Sequence, residues 1–265
     1  MVFFLLYLAG GAIVGVLAGL LGVGGGIVIV PMLNLIFPWA GMSPDQVQHL
    51  SVGTSFAAIV FTSISSVRAH NARGGVRWDI WRGVTPAIVA ATLFGSWVAA
   101  GLSTTFLRVF FACFLTVVGI QMLLAAKPRP SRELPGKLGL AGAGAGIGLI
   151  SSFVGIGGGT MSVPCMTWCN VPMRVAVGTS AAIGFPIALT GALGYIWNGW
   201  GSPDLPEWAL GFVYLPGLVG IVAGSVLTVP LGASLAHRLQ VNKLKRFFGL
   251  FVCVMAARMF WTVFF

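Results

Sequence analysis

The sequence predicts an all-α membrane protein with two inverted-topology repeats, each a glycine-broken helix hairpin followed by three transmembrane helices. Three observations support this fold class. Hydrophobic residues make up 57% of the 265 residues and charged residues 8%, whereas a soluble domain carries about 25% charged residues. A glycine-rich stretch at residues 19–31 returns at 152–164. Lysine and arginine are concentrated in alternate loops between apolar runs.

Ten apolar runs form two sets of five, separated by a polar linker. They cover about 3–21, 26–37, 46–67, 83–101, 104–126, 138–154, 159–170, 173–197, 209–232 and 246–264. A spanning helix needs roughly 20 apolar residues, and the second run of each set is much shorter. We therefore interpret the first two runs of each set as a hairpin with its tip at the glycines. The predicted repeats cover residues 1–126 and 138–265, with a linker at 127–137.

The tips of the two hairpins carry the same glycine cluster. Its members are Gly22, Gly24, Gly25 and Gly26 in the first copy and Gly155, Gly157, Gly158 and Gly159 in the second. Glycine readily leaves the helical conformation, and a helix broken inside a bilayer must line a cavity or be buried in protein. The clusters therefore predict two broken helices around a polar site. The alternative is close helix packing of the GxxxG type.

The orientation follows from the positive-inside rule. With the linker in the cytoplasm, 13 of the 15 basic residues fall on the inner side, and only Arg108 and Arg258 lie near the outer face. Each half then crosses the membrane an odd number of times, so the second half is inverted and both termini face outward. The two glycine tips approach each other from opposite faces. Inverted repeats with broken helices near the midplane are a recurring plan of transporters.

The predicted tips suit an anion. Backbone N–H groups at the start of a helix lack intrahelical partners, and the helix dipole adds positive potential there. The hydroxyls of Thr54, Ser55, Thr179 and Ser180, in two copies of the motif Val-Gly-Thr-Ser, are candidate donors. Their alternative role is helix packing with bonds to the preceding turn. Cys165 is a candidate contact for a sulfur substrate, with simple packing as its alternative.

Two basic residues occupy matching places in the repeats. His49 and Arg174 each stand four residues before the glycine of a Val-Gly-Thr-Ser motif. One reading makes them cationic gates at the outer and inner mouths. The other makes Arg174 an ordinary positive-inside charge and His49 a half-buried interfacial residue.

The two glycine clusters, each with a proline five residues after its last glycine and a Val-Gly-Thr-Ser motif further on, resemble the TauE/SafE family of sulfite and organosulfonate exporters, which are permease-type membrane transporters. The segment from Arg68 to Asp79 also resembles the family's central cytoplasmic loop. Its expected counterpart at 199–204 is longer and contains a proline. The resemblance implies transport of a small sulfur-containing anion across the inner (cytoplasmic) membrane by a multi-pass protein.

Other functions are less well supported by the residues. A permease for another small anion, such as thiosulfate or a carboxylate, is the nearest alternative, followed by an accessory membrane subunit or a membrane-embedded enzyme. No nucleophile–base pair or metal-ligand set falls within the apolar runs, so we expect neither an enzyme nor a cofactor. The net charge of +10 is spread over loops, so we expect the lipid bilayer as partner and no nucleic acid. A homo-oligomer is compatible with the sequence.

The predicted topology is testable by cysteine labelling. In a cysteine-free background, a cysteine at Ser202 should react with an impermeant thiol reagent in intact cells, and one at Ser131 should react only after permeabilisation. Ready labelling at Ser131, with none at Ser202, would contradict the inverted-repeat topology.

Overall fold

The computed structural model describes residues 2–21, 25–124, 133–236 and 241–264. These residues form ten α-helices: α1 (Val2–Leu21), α2 (Gly26–Trp39), α3 (Val47–Asn71), α4 (Trp78–Ala100), α5 (Thr104–Leu123), α6 (Lys137–Val154), α7 (Gly159–Trp168), α8 (Met173–Gly199), α9 (Leu215–Ala236) and α10 (Val241–Phe264). Two short antiparallel strands, β1 (Ala209–Leu210) and β2 (Val213–Tyr214), precede α9.

The described helices fit a bilayer. By length and composition, α3, α4, α5, α6, α8 and most of α10 could each cross a membrane. Large apolar side chains such as Trp97, Trp197 and Leu193 are exposed on their outer surfaces, where lipid would cover them. The prediction of an all-α membrane protein is confirmed.

Both predicted hairpins are broken at their glycines. Helix α6 ends at Val154, and Gly155 after it has φ 72°. Helix α7 begins after Gly158, also with φ 72°, and α2 begins after Gly25 with φ 77°. Only glycine adopts this left-handed region without a steric penalty. The breaks therefore occur where the glycines permit them.

The two halves interlock rather than lie side by side. Helix α1 packs along α9, and α6, its counterpart in the second half, packs along α4. Helix α3 packs on α8, and α5 packs on α10. Such reciprocal exchange is expected of two repeats related by a two-fold axis. The inverted orientation of the repeats stays a prediction.

Glycine stripes allow the paired helices to approach closely. On α6, a Cβ added to Gly144 would lie 2.6 Å from the carbonyl oxygen of Val84, and one added to Gly148 would lie 2.8 Å from that of Ile88. Gly11 and Gly15 meet the backbone of α9 in the same way. Small residues at helix interfaces let backbones touch, so the stripes upstream of the clusters serve packing.

One apolar run is not a single helix. The run at 209–232 begins with the β1–β2 hairpin, and the helix starts only at Leu215. The chain turns at Trp208 and Gly211, which have φ 66° and 55°. Hydrophobicity alone does not separate a short buried strand from a helix, which explains the difference.

The packing of α6 makes a testable prediction with an internal control. Gly148→Ala should lower stability by about 1–3 kcal/mol, because the new methyl group must displace the backbone of α4. Gly146→Ala, two residues away with nothing within 4 Å, should instead be neutral or stabilise by up to about 1 kcal/mol through helix propensity. Thermal unfolding in detergent measures both. Equal effects would contradict the close packing of α6 on α4.

Candidate functional site

The two glycine tips meet inside the protein. A Cβ on Gly26, the first residue of α2, would lie 2.8 Å from the carbonyl oxygen of Gly155 and 3.0 Å from the Cα of Ile156. No side chain fits between the two segments. The structure therefore brings the described parts of both predicted clusters together. Gly22 and Gly24 lie outside the described residues.

The second tip presents a run of backbone donors. Residues 156–159 are all buried, and within the described chain their N–H groups have no hydrogen-bond acceptor. The N–H groups of Gly26 and Ile27, at the start of α2, also have no hydrogen-bond acceptor in the described chain. Buried backbone donors are almost always paired. Two helix N-termini with unpaired donors thus converge on one small region, as an oxyanion requires.

Serine side chains fasten the tips to the long central helices. Ser55 of α3 donates a hydrogen bond to the carbonyl oxygen of Gly155 over 2.8 Å. Ser162 of α7 donates to Ser180 of α8, also over 2.8 Å. All three serines are buried. Ser55 therefore lies against the second tip, and Ser180 lies against α7 about one turn beyond it. Each is engaged with protein in this structure, and their role as substrate donors stays a prediction.

The threonines of the two motifs hold extended segments. Thr54 accepts a hydrogen bond from the backbone N–H of Tyr214 over 2.9 Å. Thr179 accepts one from the N–H of Arg77, also over 2.9 Å. Neither predicted role, substrate donor or back-bonding, anticipates these contacts. Each threonine anchors a chain segment that crosses its helix.

The glycines of the same motifs make room for these segments. A side chain on Gly53 would collide with the carbonyl oxygen of Phe212, and one on Gly178 would collide with that of Gly75. The contacts of 75–77 on α8 thus repeat those of 212–214 on α3. The counterpart of the loop at 74–79 is therefore the β2 region. The expected counterpart at 199–204 is wrong, because sequence order alone does not reveal which segment folds back onto the helix.

The predicted gate residues differ in environment. His49 is 4% exposed. Its Nε2 lies 3.1 Å from the carbonyl oxygen of Ala99, and its Nδ1 lies 3.3 Å from the hydroxyl of Thr104. Arg174 is exposed at the start of α8. His49 is therefore fully buried and held by contacts to α4 and α5, and not half-buried at the interface as its alternative had it. The gate role of both residues stays a prediction.

Two further side chains, those of Cys165 and Arg77, are exposed. Cys165 is exposed on α7, away from the buried tips. Arg77, whose N–H binds Thr179, forms an ion pair with Asp79, and this hydrogen-bonded carboxylate raises the pKa of Arg77. Both side chains are exposed, so the pair adds little stability. The two charges of the pair cancel.

Comparison with known proteins decides the family. A family model described as "Sulfite exporter TauE/SafE" matches residues 7–259. The chain belongs to the TauE/SafE family.

Relatives of this TauE/SafE protein are found in distant organisms. A "Probable membrane transporter protein" of Haemophilus influenzae is 37% identical over 260 residues, covering 97% of this chain and 98% of its own. YunE of Bacillus subtilis, also named a probable membrane transporter protein, is 26% identical over 88% of each chain. One from Methanocaldococcus jannaschii is 27% identical over 88% of this chain and 84% of its own. The protein is a multi-pass membrane transporter and not an enzyme.

The threonine anchors give a second prediction. Thr54→Val keeps the shape of the side chain but leaves the N–H of Tyr214 unpaired, so it should cost about 1–3 kcal/mol of stability. Amide hydrogen exchange at residues 212–214 should accelerate, while Thr54→Ser should retain protection because it keeps the hydroxyl. Thr179→Val should act in the same way on residues 75–77. Identical exchange in the valine and serine variants would contradict the anchoring role.

Proposed function

We propose that this TauE/SafE transporter carries a small sulfur-containing anion, such as sulfite or an organosulfonate, out of the cell across the inner membrane. The anion binds where the two glycine tips meet. The observation that carries this proposal is the set of buried, unpaired N–H groups at residues 156–159 and at the start of α2. The description of the family as sulfite exporters supports sulfite or a chemically similar anion.

The site attracts an anion with partial charges and not with a buried cation. Backbone dipoles at helix N-termini favour an anion without binding it as a full counter-charge would. Weak binding suits transport because the substrate must also leave. A different small anion, such as thiosulfate or a carboxylate, is the second candidate, since the same donors would accept it.

Coupling through a buried carboxylate is not supported. The chain has five acidic residues, and all are exposed: Asp45, Asp79, Glu133, Asp204 and Glu207. Intramembrane carboxylates are the usual relays for protons and binding groups for sodium. We therefore propose that flux follows the substrate gradient, the membrane potential or a proton carried on the anion itself.

The second tip is closed off in this structure, so transport requires a change of shape. Residues 154–159 are buried, and the segments at 75–77 and 212–214 lie across α8 and α3 close to the tips. Release of one segment at a time would open the site to one face of the membrane. On the predicted topology, 212–214 closes the outer side and 75–77 closes the cytoplasmic side.

Uptake by purified protein in liposomes tests the proposed substrate. Wild-type protein should accelerate the entry of sulfite or a small sulfonate over protein-free liposomes. Uptake of carboxylates without any sulfur anion would favour the second candidate. No uptake of any of these anions would contradict the proposal.

A glycine variant tests the proposed site. Gly158→Val should reduce uptake to about the protein-free level, because a Cβ there lies 2.5 Å from the Cδ1 of Ile187 and blocks the tip. Gly41→Val is the matched control. Gly41 has φ 77° and open space around it, so the variant bears similar backbone strain, about 1–3 kcal/mol, without touching the tips or the segments that cover them. Full uptake by folded Gly158→Val protein would assign the glycines to packing alone.

A further inference from the structure

Helix α3 carries a buried polar pair with no partner. Gln48 and Ser51 are both 0% exposed. Neither the amide nitrogen nor the amide oxygen of Gln48 has a hydrogen-bond partner in the described chain, and the hydroxyl of Ser51 has none either. Neither Gln48 nor Ser51 was among the predicted site residues. The sequence offers no signal for it, since a glutamine near a helix start is usually solvated.

The pair lies on the face of α3 that leads to the glycine tips. Residues three, four and seven apart share one face of a helix, which places Gln48 and Ser51 in line with Ser55. Ser55 bonds the carbonyl oxygen of Gly155, and Val52, between them, contacts the same glycine. One α-helical turn rises about 5.4 Å. Ser51 is therefore about one turn, and Gln48 about two turns, from the tip.

Beyond Ser55, the same region of α3 also contacts both tips. Ile59, one turn beyond Ser55, would contact a Cβ on Gly26 at 2.9 Å and one on Gly157 at 3.1 Å. The residues of α3 between the glycine tips and Gln48 are thus all inside the protein. On the predicted topology, Gln48 is at the outer end of this path.

An unpaired buried amide destabilises a protein, and its replacement by an apolar group of the same shape is often neutral or stabilising. A buried glutamine whose amide makes no hydrogen bond with the described protein therefore points to a ligand. The chemistry of that ligand follows from the amide itself. Its nitrogen needs an acceptor and its oxygen needs a donor, and this holds whichever way the amide is turned.

We propose that Gln48 and Ser51 form a second subsite for the substrate, on the side of the tips toward the start of α3. The substrate class is then a monoanion with an O–H or N–H group beside its oxyanion, such as a hydroxyalkyl sulfonate or a protonated sulfur oxyanion. The amide nitrogen of Gln48 donates to an oxygen of the anion, and the amide oxygen accepts from its O–H or N–H group. Because Gln48 lies about two helical turns, roughly 10 Å, from the tip, a small anion occupies this subsite and the tips in turn. This inference rests on the proposed function and adds the class of anion that the site selects.

A pair of sulfonates that differ by one hydroxyl tests the selection. Wild-type protein in liposomes should transport 2-hydroxyethanesulfonate about tenfold better than ethanesulfonate, the effect of one lost hydrogen bond in a dry site. Gln48→Met should reduce this preference to about one- to threefold. Gln46→Met is the matched control: Gln46 lies two residues earlier, is only half-buried, and contacts Pro203, so the preference should persist.

A second measurement separates binding from folding. Gln48→Met should leave the melting temperature in detergent unchanged or raise it, because no hydrogen bond within the protein is lost. A clear fall in the melting temperature, with the preference retained, would make Gln48 structural and overturn the inference.

The outcomes distinguish this inference from the proposed function. Equal transport of both sulfonates by the wild type overturns the inference and leaves the proposed function standing. If sulfite is the only sulfur anion transported, its uptake must vary with pH in proportion to the concentration of the protonated monoanion. Gln48→Met must remove this pH dependence. Any other result overturns the inference. Transport of no sulfur anion overturns both.

Discussion

The structure depends on the requirement that every backbone polar group in a bilayer be satisfied or enclosed by protein. Two helices are broken at glycines in the interior, and each break frees N–H and C=O groups. The surrounding helices enclose the second break at residues 154–159, and Ser55 pairs the freed carbonyl of Gly155. The N–H groups of residues 156–159 stay unpaired in the described chain. This difference between a paired acceptor and free donors is the basis of the proposed anion site.

Enclosing the breaks requires close contact between the halves. The pairs α1–α9 and α4–α6 each combine one helix from either half, and glycines bring their backbones together. The Val-Gly-Thr-Ser motifs use the same principle at the centre. In each copy the glycine admits an extended segment and the threonine binds its N–H, while the following serine lies at a tip. One short motif therefore couples a tip to the segment that covers it.

The absence of charge from the described interior has a functional consequence. With all five acids at the surface, no carboxylate repels an anion, and no buried cation retains one. On the proposed function, selectivity comes from the geometry of neutral donors and acceptors. Gln48 and Ser51 are suited to this role, because a neutral amide distinguishes anions by their hydrogen-bonding groups and not by their charge.

The sequence by itself determined the membrane class, the duplication and the positions of the helix breaks, because composition and glycine spacing are local properties with strong physical effects. It also drew attention to Ser55, which bonds the backbone of the second tip. Only the tertiary structure decided that 212–214 is the counterpart of 75–77, that Thr54 and Thr179 anchor these segments, that His49 is enclosed between α4 and α5, and that Gln48 has no partner. Each of these depends on contacts between residues far apart in the chain, and hydropathy and spacing carry no information about which distant backbone approaches a given side chain.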